Sequence, residues 1–94
     1  MADFRLQIVT AQKTVFDQKI TALTLPGEGG YFGVLAHHAP IVGVLKEGQV
    51  TIRRGQREEF LKITGGFFEM SNNEGTLLVD QLTGLESLEG ANTD

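Results

Sequence analysis

Residues 26–40 have the sequence Pro-Gly-Glu-Gly-Gly-Tyr-Phe-Gly-Val-Leu-Ala-His-His-Ala-Pro, which contains both prolines and both histidines of the chain. No charged residue occurs from Gly29 to Leu45 when the histidines are neutral. Glycine reaches backbone conformations that strain other residues, and proline cannot donate a ladder hydrogen bond in a sheet. The stretch therefore predicts a largely irregular, uncharged surface segment, in which Tyr31–Leu35 can form a short strand and is followed, after Pro40, by another at Ile41–Leu45. A membrane helix needs roughly 20 mostly apolar residues, so membrane insertion is not expected here.

On both sides of this segment, short alternating patterns predict β-strands. Phe4, Leu6 and Ile8 alternate with polar residues, which is typical of a half-buried strand. Residues 72–75, Asn-Asn-Glu-Gly, indicate a hairpin turn. We predict an all-β protein, a mostly antiparallel β-sandwich of about ten short strands over residues 1–82. Residues 83–94 are predicted to be a short acidic tail, with one helical turn followed by disorder.

Composition limits the classes of function. The 94 residues fit a single domain, and the absence of cysteine excludes disulfides and thiolate metal sites. The net charge is −4, and all eight basic residues precede residue 63, so nucleic acid is not an expected partner. The amino terminus lacks the basic and apolar regions of a signal peptide. We expect a cytoplasmic or organelle-encoded protein that is monomeric when isolated.

Residues capable of chemistry are few. Ser71 and Ser87 belong to no nucleophile motif, and the glycines of 27–33 resemble a phosphate-binding loop in glycine content alone. His37 and His38 are adjacent, and in an extended chain their side chains point to opposite sides, which disfavours binding one metal. We expect one histidine to pack or to bond a backbone carbonyl in a turn and the other to be exposed. We predict no catalytic residue, no metal and no cofactor.

Two further groups allow a structural or a functional interpretation. Arg53, Arg54 and Arg57 surround Gly55, and they predict either a solvated hairpin tip neutralised by residues 58–59 or a docking site for an acidic partner. The first interpretation is favoured. Phe67 and Phe68 are adjacent on a predicted strand, so one is expected in the core and the other at an edge or interface.

The sequence resembles a known family at several points in order. Gly33-Val-Leu-Ala-His-His-Ala-Pro is similar to the Gly-x-x-x-x-His-Ala-Pro signature of the epsilon subunit of F-type ATP synthases. Similar segments are Phe4–Ala11 and Val15-Phe16 for the opening strands, then Leu45–Arg53, Gly65–Glu69 and Leu77–Asp80. The resemblance covers about residues 3–82, and its strength lies in the ordered set rather than in any one segment.

The resemblance implies a ten-stranded β-sandwich at the foot of the central stalk, without catalytic activity of its own. Such a rotor subunit binds the gamma subunit and the polar loops of the c ring at the cytoplasmic face of the membrane, and couples ion-driven rotation to ATP synthesis. By motif, the positions facing gamma are Thr10, His38, Gly43 and Thr64. Those facing the c ring are Gly30, Tyr31 and His38. Many members have an acidic residue at the position of Tyr31, so an apolar or hydroxyl contact is expected here instead of a charged one.

Family members typically continue into a helical hairpin that can inhibit ATP hydrolysis and, in some, binds ATP. The end of the 94 residues resembles only the beginning of this helical hairpin. Little or no inhibition of ATP hydrolysis and little or no ATP binding is therefore expected of them. Two alternatives remain open: a stand-alone β-sandwich module that binds another partner, and a small enzyme that uses the His37–His38 loop.

Overall fold

A computed structural model describes residues 2–84, and every regular element in that range is a β-strand. In chain order, the strands of this range are β1 (Phe4–Val9), β2 (Thr14–Ile20), β3 (Ala22–Gly27), β4 (Gly30–Leu35), β5 (Ile41–Leu45), β6 (Gly48–Arg54), β7 (Arg57–Ile63), β8 (Gly66–Ser71), β9 (Glu74–Val79) and β10 (Leu82–Thr83). The predicted all-β architecture is confirmed.

Hydrogen bonds join the strands into one sheet that folds back on itself. The order is β10-β7-β6-β3-β5-β8-β9-β1-β2, and β4 pairs with β3. One edge of β3 bonds β4, while the other bonds β6 and then, at Gly27, β5. Strand β3 therefore links two layers, β10-β7-β6-β3-β4 and β5-β8-β9-β1-β2. The layers meet again where the guanidinium carbon of Arg54 lies 5.7 Å from the centroid of the Phe16 ring.

The core lies between these layers and is formed by alternating inward positions. Strand β1 buries Phe4, Leu6 and Ile8 and turns its intervening side chains outward, as the alternation predicts. Among the described residues, no charged or polar residue is buried in this core. The buried side chains are Phe4, Leu6, Ile8, Val15, Phe16, Ile20, Leu23, Leu25, Val34, Leu45, Val50, Ile52, Leu61, Ile63, Phe68, Met70, Leu77 and Val79.

The strand pairing is mostly antiparallel, with one parallel exception. Strands β1 and β9 pair in parallel, from Arg5 opposite Glu74 to Val9 opposite Leu78. The short connections along the chain predict antiparallel neighbours and say nothing about β1 and β9, which are far apart in sequence. This pairing places the first strand in the middle of its layer, between β9 and β2.

Both predicted tight turns are present. Asn72 and Asn73 have φ of 52° and 62°, the left-handed values required by a type I′ hairpin turn. At the β6–β7 turn, Gly55 has φ of 64°. Ion pairs of 2.6 Å join Arg53 to Glu58 and Arg54 to Glu59 across this hairpin. The hairpin and its charge-neutralising pairs agree with the first interpretation, but the side chains of Arg54 and Glu59 are only 18% and 10% exposed, so this pair is not solvated. Docking of an acidic partner at this turn stays an untested alternative.

Two strand ends can be compared with the sequence pattern. The pair Pro26-Gly27 predicts the end of a strand, and β3 does end at Gly27, with Pro26 included in the strand. The edge of β3 changes partner between Thr24 and Gly27, so the missing Pro26 N–H interrupts no ladder bond, and the Pro26 carbonyl accepts from the Lys46 N–H at 2.9 Å. The sequence pattern ends at Val79, whereas the short strand β10 pairs with the end of β7.

Strand β10 crosses the predicted domain boundary, because Thr83 lies beyond residue 82. The predicted helical turn and the disorder after it fall on residues 85–94, which are outside the described residues. That part of the tail prediction stays a prediction.

Candidate protein-interaction surface

The outward face of the β5-β8-β9-β1 layer has apolar side chains at one end. Val44, Phe67, Leu78 and Val9 are successive register partners on these four strands, and Val42 lies two residues from Val44 on the same face. The exposed fractions are 78% for Val42, 54% for Phe67, 45% for Val44 and 40% for Leu78. Contiguous exposed apolar side chains commonly mark interaction sites. We call these five residues the outer apolar row.

The opposite end of the same face is charged. An Arg5 nitrogen donates to Asp17 at 2.7 Å, and a second Arg5 nitrogen lies 3.9 Å from the carboxylate of Glu74. The hydrogen bond from Arg5 lowers the pKa of Asp17, and the same bond raises the pKa of Arg5. Arg5 thus contacts two carboxylates on the sheet. The face changes along β1 from charged Arg5 to apolar Val9, and exposed Glu69 on β8 lies opposite Val42 at the border of the apolar end.

Two grooves lie beside the apolar end, and Thr10 and Thr64 line both of them. The smaller, of about 530 Å³, is also lined by Val9, Phe67 and Leu78 of the outer apolar row. The larger, of about 800 Å³, extends toward β6, β7 and β10. Two of the four positions predicted to face gamma are thus brought together, directly beside the row.

The other two predicted positions lie elsewhere on the same layer. Gly43 is in β5 between Val42 and Val44, but it faces inward: a Cβ added there would lie 3.3 Å from the Phe32 ring. His38 precedes β5 and lies at the opposite end of that strand from Thr64. The four positions therefore extend along the length of the layer rather than forming one compact cluster.

Gly30 and Tyr31 lie at the start of β4, after the β3–β4 turn. Tyr31 is 57% exposed, and its hydroxyl accepts a hydrogen bond from the Gln49 N–H at 3.0 Å. A Cβ added at Gly48 would lie 2.6 Å from the Pro26 Cβ and 2.8 Å from the Tyr31 hydroxyl, so a side chain at this position would displace both residues. His38 follows β4, so the structure separates it from the other two predicted c-ring positions by the length of that strand.

The two histidines have the arrangement predicted from the sequence. His38 is half-buried, and its Nδ1 lies 2.6 Å from the Ala39 carbonyl oxygen, which requires a proton on Nδ1. His37 is exposed and has φ of 64°. Among residues 2–84, no group of three or more His, Asp or Glu side chains is arranged to hold a metal ion. No helix in that range is long and apolar enough to cross a membrane.

Part of this surface was not identified from the sequence. Phe67 was expected at an edge or interface and is exposed, while Phe68 is in the core, which confirms that interpretation. Val42 and Val44 were predicted only as part of the uncharged stretch from Gly29 to Leu45, and Leu78 was missed. The signal was available, because Ile41–Leu45 is apolar at inward and outward positions alike, and a strand that is apolar on both faces is typically covered on both faces.

The fold and this surface define a β-sandwich domain with a candidate docking face. The chain matches the family described as the ATP synthase delta/epsilon chain, β-sandwich domain, over residues 3–84. The ATP synthase epsilon chain of Chlorobaculum tepidum is 42% identical over 81 residues, which cover 85% of this chain and 92% of that one. The epsilon chain of Protochlamydia amoebophila is 34% identical over 87 residues, or 92% of this chain and 59% of that one.

A solved structure has the same fold. A chain of the Euglena gracilis mitochondrial ATP synthase, in a structure containing OSCP, F1 and the c ring, matches with a TM-score of 0.84 at 22% identity, covering 95% of this chain and 57% of that one. The present chain thus spans less than two thirds of the length of some of the proteins it matches. The chain belongs to the ATP synthase delta/epsilon chain β-sandwich family.

Proposed function

We propose that this chain is a rotor subunit of an F-type ATP synthase, which binds gamma and the c ring at the foot of the central stalk. Its role is mechanical: it transmits ion-driven rotation to gamma and leaves catalysis to other subunits. The curated relatives are named epsilon chains of ATP synthase, which supports the assignment. We propose that, as part of this complex, the chain lies at the cytoplasmic face of the membrane and is attached through its partners.

The outer apolar row is the proposed centre of the gamma-binding surface, and it is the observation on which the proposal mainly depends. Leaving Phe67 and its neighbours in water is unfavourable by roughly 25 cal/mol per Å² of apolar surface. An interface with an apolar, charge-depleted centre and a polar rim removes that cost. Thr10 and Thr64 in the adjoining grooves supply hydroxyl groups for such a rim. Gly43 contributes by allowing Phe32 to pack beneath β5 rather than by contact of its own.

The proposed c-ring contacts are Gly30, Tyr31 and His38. The hydrogen bond from Gln49 fixes the Tyr31 hydroxyl, so an exposed aromatic ring is held in one orientation. Ordered aromatic side chains are favoured at interfaces, because little conformational entropy is lost on binding. Since Tyr31 and His38 lie at opposite ends of β4, the c-ring surface is broad, and His38 lies where it can border both partners.

Inhibition of ATP hydrolysis and binding of ATP are not proposed for the 94 residues. All four arginines occur at or before residue 57 and therefore lie in the β-sandwich. There, Arg5, Arg53 and Arg54 form ion pairs with carboxylates. Stoichiometric ATP binding by this polypeptide in calorimetry would contradict this part of the proposal.

Calorimetric titration with purified gamma subunit tests the proposed function. We expect one-to-one binding with a dissociation constant of about 1 μM or lower. His38→Ala should weaken the binding, whereas Tyr31→Ala should leave it unchanged, because Tyr31 is assigned to the ring. A folded chain that does not bind gamma would instead favour a β-sandwich module with a different partner.

A further inference from the structure

Asn73 joins three separate parts of the chain through hydrogen bonds. Its side-chain Oδ1 accepts from the His37 N–H at 2.7 Å, and its Nδ2 donates to the Asp3 carbonyl oxygen at 3.0 Å. Its own carbonyl oxygen accepts from the Arg5 N–H at 3.3 Å. We call these three bonds the Asn73 bridge. It connects the β8–β9 turn, the start of β1 and the turn before β5.

The turn that contains His37 has an unfavourable backbone conformation. The His38 N–H donates to the Leu35 carbonyl oxygen at 3.2 Å, which closes a tight turn around residues 36–37. His37 has φ of 64°, a value that residues other than glycine rarely adopt without compensation. The bond to Asn73 uses the His37 N–H itself, so it favours this conformation directly.

The same bond anchors the turn to the body of the domain. The bonds described for His38, from its N–H to Leu35 and from its Nδ1 to Ala39, are local to the turn. Among the hydrogen bonds described for residues 36–40, the one to Asn73 reaches a distant part of the chain. A turn held by local bonds alone can change its orientation as a unit, whereas a bond to another element fixes its position.

We propose that Asn73 is a positioning residue, which holds the 36–39 turn so that His38 is presented to the rotor partners in one orientation. The part of this proposal that concerns binding rests on the function proposed above. Asn73 also bonds both Asp3 and Arg5, so the turn is fixed to β1, the strand whose far end contributes Val9 to the outer apolar row. Through this connection, His38 and the row form one preorganised surface, and preorganisation reduces the ordering cost of binding.

Two glycine substitutions in the same turn isolate the Asn73 side chain. Asn73→Gly removes the bridging amide and tolerates the φ of 62°, while Asn72→Gly is the matched control at φ of 52°. In the isolated chain, Asn73→Gly should increase hydrogen exchange of the His37 amide by about tenfold or more and leave the amides of the core strands protected. It should weaken gamma binding about threefold to tenfold, while Asn72→Gly changes either measurement by less than about twofold.

A second variant separates the two side-chain bonds. Asn73→Asp keeps an oxygen that accepts from His37 and loses the donor to Asp3. We expect the His37 amide of this variant to exchange slowly, as in the unsubstituted chain. We also expect Asn73→Asp to weaken gamma binding less than Asn73→Gly does.

Unchanged exchange of the His37 amide in Asn73→Gly would overturn the proposal that Asn73 holds the turn. Faster exchange with unchanged gamma affinity would overturn its role in binding and leave the proposed function intact. If the unsubstituted chain fails to bind gamma, the proposed function and the binding role of Asn73 both fall, and the exchange measurement still decides whether Asn73 holds the turn.

Discussion

Gly66 begins β8 at a position that only glycine can occupy. Its φ is 152°, and a Cβ there would overlap the carbonyl oxygen of Leu78 on β9. The obstacle is backbone, so it cannot be relieved by a side-chain rotation. This residue permits β8 and β9 to approach closely beside Phe67 and Leu78, and so the outer apolar row depends on it.

We predict that Gly66→Ala lowers the free energy of unfolding by at least about 2 kcal/mol, from backbone strain and steric overlap together. Gly29→Ala is the control, because a Cβ at Gly29 has no heavy atom within 4 Å. That substitution should change the free energy of unfolding by less than about 1 kcal/mol. Urea denaturation of both variants measures the difference, and equal stabilities would contradict the steric account.

The Asn73 bridge illustrates the limit of sequence analysis for single residues. The Asn-Asn-Glu-Gly pattern predicts the hairpin turn, because asparagine tolerates positive φ. Nothing in the local pattern indicates that the Asn73 side chain bonds Asp3 and His37, which are 70 and 36 residues away. Such bonds depend on the tertiary arrangement and become visible only in the folded structure.

At the scale of elements, the β1–β2 pair contains a cross-strand ion pair that makes stability depend on pH. Asp17 accepts from Arg5, and this bond lowers its pKa below the ordinary 3.8. A carboxylate whose pKa is lowered by folding contributes stability above its ordinary pKa, and this contribution is lost as pH falls through the lowered value. Because both side chains are well exposed, water and salt screen the pair and the effect is modest.

We therefore predict that Asp17→Asn destabilises the domain slightly at neutral pH and that the difference from the unsubstituted chain diminishes as the pH is lowered to about 3. Thermal unfolding of the two proteins across this range measures the effect. A difference that stays constant or grows on acidification would contradict the assignment of the lowered pKa to the Arg5 bond.

Strand β5 shows which features of an element can be predicted. Its location after Pro40 follows from the apolar run Ile41–Leu45, and the structure confirms it. Its outward Val42 and Val44 break the alternation and imply a partner, but the pattern does not identify which face of the domain they join. That information comes from the register of β5 with β8 and β9, which depends on pairing between distant segments.

For the whole molecule, the all-β architecture was predictable because ten short strands separated by turn residues admit few other arrangements. The parallel β1–β9 pair was not, since it joins the first strand to the ninth. The predicted interface positions are distributed in a way that only the fold explains: Thr10 and Thr64 converge on shared grooves, whereas Tyr31 and His38 lie apart. Within residues 2–84, the candidate functional surface therefore extends over both layers, with the outer apolar row and its grooves on one layer and Tyr31 of β4 on the other.

The most direct test of this account compares two exposed phenylalanines on opposite layers. Phe67 of the outer apolar row is 54% exposed, and Phe60 on the outward face of β7 is 48% exposed. Both replacements by serine remove the same side chain from similarly exposed positions, so their effects on folding should be alike. In calorimetric titration with gamma, we predict that Phe67→Ser weakens binding at least about tenfold and Phe60→Ser less than about threefold. Equal effects of the two substitutions, or a larger effect of Phe60→Ser, would contradict the assignment of the gamma-binding face.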